Sequence, residues 1–152
     1  MNYSDFQFLK FDPKPNGVLL ITINRPEVMN ATNGRLHWEL TKVWGVVNDD
    51  PKTKVAVITG AGDKAFSAGG DLNWITNMVG NAETINMVMN EASDIVYNMM
   101  ACDKPIISAI NGVAVGAGLA VSSDSLKRRL AEKIGRRYME SICSPVTGSR
   151  LN

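Results

Sequence analysis

Gly116, Ala117 and Gly118 are the residues whose types and setting best suit them to present bare backbone to a ligand. They close the segment KPIISAINGVAVGAGLA, residues 104–120, where Pro105 bars helix at the residue before it and presets an extended entry. Ile106, Ile107, Ala109 and Ile110 then form a short apolar run bounded by turn residues, the pattern of a buried strand. Asn111-Gly112 breaks the run, and the glycines lead into a stretch that can be helical. A strand, a tight glycine turn and a helix start in succession leave N–H groups with no internal partner. Such donors favour an anion or a developing negative charge.

Other readings of the same residues compete. Glycines after a strand commonly serve turn geometry alone. Gly116 and Gly118 before a helix also resemble a dinucleotide loop, but Val121 stands where its third glycine belongs and no acid-ended strand follows. A membrane span is disfavoured, because the uncharged stretch 105–121 is short and carries Asn111 and three glycines.

At 152 residues the chain fits one domain with a sizeable core, and 45% hydrophobic with 20% charged residues is ordinary for a globular protein. A formal net charge of +1 gives no reason to propose nucleic acid or an anionic membrane surface as partner. Cys102 and Cys143 lie in no CxxC, and with a single histidine besides, no metal site is expected. Asp5 comes early and no apolar run opens the chain, so a cytoplasmic protein is expected.

The elements that must position the turn follow from pattern. Asn16-Gly17 between apolar runs predicts a hairpin of strands over 6–12 and 18–24. Asn33 caps a predicted helix over 34–48 whose apolar face is Leu36, Leu40, Val43 and Val47, with His37 beside it in a solvated or half-buried role. VAVITG at 55–60 reads as a strand, and 64–70 as a loop leading to Asp71, the cap of a short helix over 71–79. Asn81 starts a longer helix carrying Ile85, Val88, Met89, Ala92, Ile95, Val96, Met99 and Met100 as core filler. The order predicts an α/β fold, with ligands beyond the carboxyl ends of the strands, where the turns at 60–70 and 111–118 can serve one site. Leu126, Leu130, Ile134, Tyr138 and Ile142 mark a basic amphipathic helix within 124–142, followed by a frayed end.

AFSAGGD at 65–71 and KPIISAINGVAVGAGLA at 104–120, supported by ITINRPEVMNA at 21–31, resemble the crotonase (enoyl-CoA hydratase/isomerase) superfamily over about 15–120. The resemblance implies repeated ββα units in a spiral, an acyl-CoA thioester as substrate and no metal or redox cofactor. It implies that the backbone N–H groups of Gly70 and Ala117 hold the thioester enolate, and that Met29, Ala31, Ala68, Asp71 and Leu72 line the CoA cleft. Capping its helix is an alternative role for Asp71. The family is trimeric, so a homo-oligomer is expected, although the later half that builds the trimer has no counterpart in 122–152.

The chain also departs from the pattern. Hydratases of this family carry a water-activating glutamate three residues beyond the second donor; Ala120 stands there and cannot move a proton. The second acid/base group belongs to a repeat that does not follow Val121. The expectation is therefore an incomplete crotonase-like domain over 1–121 with a tail, 122–152, of no family resemblance. Functionally, the chain reads as an enoyl-CoA hydratase/isomerase-family protein, a lyase or isomerase of fatty acid metabolism. The alternative is a catalytically silent acyl-CoA-binding or subunit-like fragment, and a dinucleotide-binding domain ranks below both.

Overall fold

A computed structural model describes residues 1–116, Gly118 and Val121. The basic helix expected within 124–142 lies outside them, as do Ala117 and Ala120.

The chain opens with a hairpin of β1 (Leu9–Pro13) and β2 (Val18–Ile23), antiparallel with Leu9 opposite Ile23. Asn16 and Gly17 take φ of 67° and 85° at the turn between them, which explains why Asn-Gly occurs there. Leu19, Ile21 and Ile23 alternate inward along β2. They pack beneath α1 (Gly34–Asp49), whose buried face includes Leu36, Leu40, Val43, Trp44 and Val47. Asn33 caps α1 by accepting the Leu36 N–H at 2.9 Å. Burial of side chains this size contributes roughly 1.5–3 kcal/mol each, which makes this sheet-to-helix layer the main stabilising contact of the N-terminal half.

The fold then repeats itself. β3 (Val55–Gly60) runs parallel to β2 with Ile21 beside Ile58, so α1 is the crossover between them. β4 (Ala65–Ser67), α2 (Leu72–Met78) and α3 (Ala82–Ala101) follow, capped by Asp71 and Asn81 as the sequence predicts. β5 (Ile106–Ser108) joins β3 in parallel, and β6 (Val113–Ala114) opens a third unit. Two ββα units and the first two strands of another thus give a four-stranded sheet in the order β1-β2-β3-β5 and a two-stranded sheet, β4-β6. Among the described residues, no helix is long and apolar enough to cross a membrane.

Three expectations need correction. The segment 64–70 is not loop throughout: Ala65–Ser67 is a buried strand, paired with β6. The apolar stripe of α3 is core only at its C-terminal end, where Ile95 and Met99 are buried, while Ile85 and Met89 are exposed. His37 is buried rather than solvated, its Nδ1 2.8 Å from Glu91 Oε2 on α3 and its ring 5.3 Å from that of Trp74 on α2. That pair ties α1 to α3 beneath α2.

Candidate functional site

The two glycine turns meet. β4 and β6 run parallel, and the Val115 N–H donates to Ser67 O at 3.0 Å, so the chain leaves both strands on the same side. Gly69 and Gly116 both have positive φ, 87° and 55°, and a Cβ on Gly116 would stand 3.5 Å from the Gly69 Cα. Gly118 packs so closely on Ser67 that a Cβ there would come within 2.7 Å of the Ser67 Cβ. Ala117, between Gly116 and Gly118, is outside the described residues. Its neighbours nevertheless bring the second turn to the first.

The loop after β2 completes the arrangement. Arg25 to Ala31 passes through a short turn and two consecutive left-handed residues, Met29 with φ 54° and Asn30 with φ 57°. The Ala68 N–H donates to Met29 O at 3.0 Å, the Thr32 N–H to Gly69 O at 2.7 Å and the Asp71 N–H to Thr32 O at 2.9 Å. Thr32 and Gly70 thereby face each other across an isolated parallel bridge. The bridge uses the amides that flank Gly70. It leaves the Gly70 N–H itself with no acceptor among the described residues. A donor that the fold holds but does not use is available to a ligand.

Met29, Ala31, Ala68, Gly70 and Asp71 are thus drawn together by backbone pairing, with Leu72 adjoining. Their surroundings differ. Met29 is 40% and Leu72 78% exposed, offering apolar surface to solvent, whereas Ala31 is buried. Asp71 does cap α2, its Oδ1 accepting the Asn73 N–H at 3.1 Å. Its Oδ2 meets Arg25 Nη1 and Nη2 at 3.2 and 3.1 Å. Both ends of that carboxylate are therefore engaged within the protein.

Sequence reasoning passed over three residues that shape this site. Asn30 is fully buried; its Oδ1 accepts the Arg25 N–H at 3.0 Å and its Nδ2 donates to Ala61 O and Ala65 O at 2.9 and 2.8 Å. Asn111 donates to Gly60 O and Gly62 O at 2.8 and 2.7 Å, so the turn after β5 holds the turn after β3. Arg25 is the third. The asparagines carried a signal, since asparagine tolerates the left-handed region and bonds nearby backbone. The Arg25–Asp71 pairing, 46 residues apart, carried none.

Residues 13–125 match the family model described as Enoyl-CoA hydratase/isomerase. The chain is 38% identical to (E)-benzylidenesuccinyl-CoA hydratase of Thauera aromatica over 70% of its own length and 41% of that relative. It is 35% identical to crotonyl-CoA hydratase of Syntrophomonas wolfei over 69% of itself and 40% of that protein. The crystal structure of an enoyl-CoA hydratase/isomerase from Mycobacterium paratuberculosis superposes with a TM-score of 0.71 at 36% identity, covering 78% of this chain and 49% of that one. An enoyl-CoA hydratase from Bacillus anthracis gives 0.72 at 26% identity, covering 89% and 61%. The chain spans about two fifths of the length of these curated relatives, 41% and 40%. By motif, fold and sequence together, it belongs to the enoyl-CoA hydratase/isomerase family, within the crotonase superfamily, and shares that family's N-terminal portion.

Proposed function

We propose that this chain binds an acyl-CoA thioester and holds the thioester carbonyl oxygen with the backbone N–H groups of Gly70 and Ala117. The observation that carries the reading is the Gly70 N–H, fixed by the Thr32 bridge and left without an acceptor among the described residues. The convergence of the two glycine turns supports the partnership with Ala117, whose own assignment rests on its place in the GAG motif. Negative charge accumulates on the carbonyl oxygen as a thioester forms an enolate. Donors already in place there are worth about 3–4 kcal/mol each in a water-excluded site. Backbone donors need no particular side chain, which accounts for the small residues at both positions. Met29, Ala31, Ala68, Asp71 and Leu72 border the cleft that takes the CoA portion, and no metal or redox group enters the reading.

The parent chemistry of such a site is proton transfer at the α- or β-carbon of the thioester, as a lyase or isomerase. For this chain a second reading, acyl-CoA binding without turnover, is favoured by a specific observation. The carboxylate of Asp71, next to Gly70 in the chain, is engaged by Arg25 and by the α2 cap, and Ala120 stands where related hydratases carry glutamate. Both readings require thioester binding, which calorimetric titration with crotonyl-CoA tests. Saturable binding is expected; none up to about 1 mM, equivalent to about 4 kcal/mol of affinity, would refute both.

We extend the proposal to assembly as a homo-oligomer. Among the described residues β5 is the last strand of the four-stranded sheet, and Ile107, Ile110, Val113 and Val115 along and beyond it are exposed. Such an apolar edge favours pairing with another copy. Light scattering should show a species larger than a monomer; a monodisperse monomer would rule this out.

A further inference from the structure

We infer that Arg25 is the positioning residue for the Gly70 donor, acting as a staple across the Thr32–Gly70 bridge. This rests on the proposed role of Gly70. The guanidinium reaches one residue on each side of that bridge: Nη1 donates to the carbonyl of Ala31, which precedes Thr32, and Nη1 and Nη2 meet the carboxylate of Asp71, which follows Gly70. The two side chains are only 11% and 16% exposed, so the ion pair is shielded from water and salt more than a surface pair. The guanidinium also lies over the Phe8 ring, with 5.1 Å from the ring centroid to Cζ.

The backbone is built to bring Arg25 back to this point. Asn30 takes the Arg25 N–H on its side-chain oxygen while its amide nitrogen fixes Ala61 and Ala65, the latter at the start of the strand leading to Gly70. The left-handed pair Met29 and Asn30 turns the chain so that Ala31 comes beneath the same guanidinium. Arginine is needed for its planar fork, which can bond a carbonyl and a carboxylate at once; a lysine ammonium is a point charge without that fixed geometry. A donor aimed at a developing charge works only when held within about 0.5 Å and 10–20° of its productive direction. Stapling the residues on either side of the bridge provides that restraint.

The test separates aim from stability. The full chain is saturated with crotonyl-CoA carrying a 13C-labelled thioester carbonyl, and difference infrared spectroscopy reads the downshift of the carbonyl stretch. Arg25→Met should lose about half of the downshift or more, while its affinity falls less than about ten-fold because most CoA contacts remain. Arg25→Lys should fall between. Asp71→Asn, which keeps a good N-cap residue and so keeps α2, should lose the downshift in parallel and carries the test alone if Arg25→Met does not fold. A folded Arg25→Met or Asp71→Asn variant with the full downshift overturns the proposal, even if its melting temperature drops, because the pair is then structural only. No downshift in the unsubstituted chain overturns the Gly70 reading beneath it, and with it this one.

Discussion

Gly69 and Gly116 lie backbone against backbone, the Gly116 Cα 3.8 Å from the point where a Cβ on Gly69 would stand. Together with the packing of Gly118 on Ser67, this contact joins the AGGD turn to the GAG turn, motifs nearly fifty residues apart.

Gly69→Ala tests that contact. Gly69 has φ 87°, a conformation costly to alanine, and the added Cβ would meet the Val115 carbonyl oxygen at 3.2 Å. The expected loss is about 1–3 kcal/mol of unfolding free energy in urea, followed by circular dichroism. A loss under about 0.5 kcal/mol would mean that the turns are free to separate.

The N-terminal turn gives a prediction in pH. The Tyr3 phenol is pushed up to about 12, chiefly by burial, with the Asp50 carboxylate beside it adding to the shift and a hydrogen bond with Thr53 opposing it. Asp50 is held below its ordinary 3.8, chiefly by the Thr53 hydroxyl, helped by the Lys52 N–H and the Tyr3 hydroxyl, while burial opposes. A raised phenol stabilises the fold below its unfolded value of 10.0, and the contribution disappears as pH climbs to about 12. A depressed carboxyl stabilises above 3.8, and its contribution disappears as pH falls through the lower folded value. In an ultraviolet titration one of the three tyrosines should ionise near 12, and Tyr3→Phe should remove that step. Absence of a step near 12 while circular dichroism stays native would contradict it.

Much of this fold was legible because its signals are local. The alternation of Leu19, Ile21 and Ile23, the Asn-Gly turn at Asn16, and the caps Asn33, Asp71 and Asn81 each act within a few residues. β4 and β6 were not legible, since strands of three and two residues are too short to show a period and exist through their mutual pairing. The burial of His37 depends on Glu91, and the pairing of Gly70 on Thr32, partners brought near only by the crossovers. Gly70 was found by motif resemblance; the unspent N–H that makes it a candidate donor is visible only in three dimensions.

The engagement of Asp71 predicts chemical silence toward water addition. The 152-residue chain should show no hydration of crotonyl-CoA above the enzyme-free rate, because Ala120 cannot activate water and Asp71 is held by Arg25. Loss of the enoyl absorbance well above background would show that another group in the chain moves the proton.

The central claim is that the Gly70 N–H meets the thioester oxygen, and the carbonyl stretch of bound 13C-labelled crotonyl-CoA tests it most directly across three forms of the chain. Gly70→Ala keeps the N–H, and its Cβ would meet only the Ile75 side chain, Cδ1 at 2.7 Å and Cγ1 at 3.4 Å, which can turn away. Gly70→Pro deletes the donor, with circular dichroism confirming that the fold is retained. A carbonyl downshift is expected in the unsubstituted chain and in Gly70→Ala, and a clearly smaller one in Gly70→Pro. An equal downshift in all three, or none in any, would contradict it.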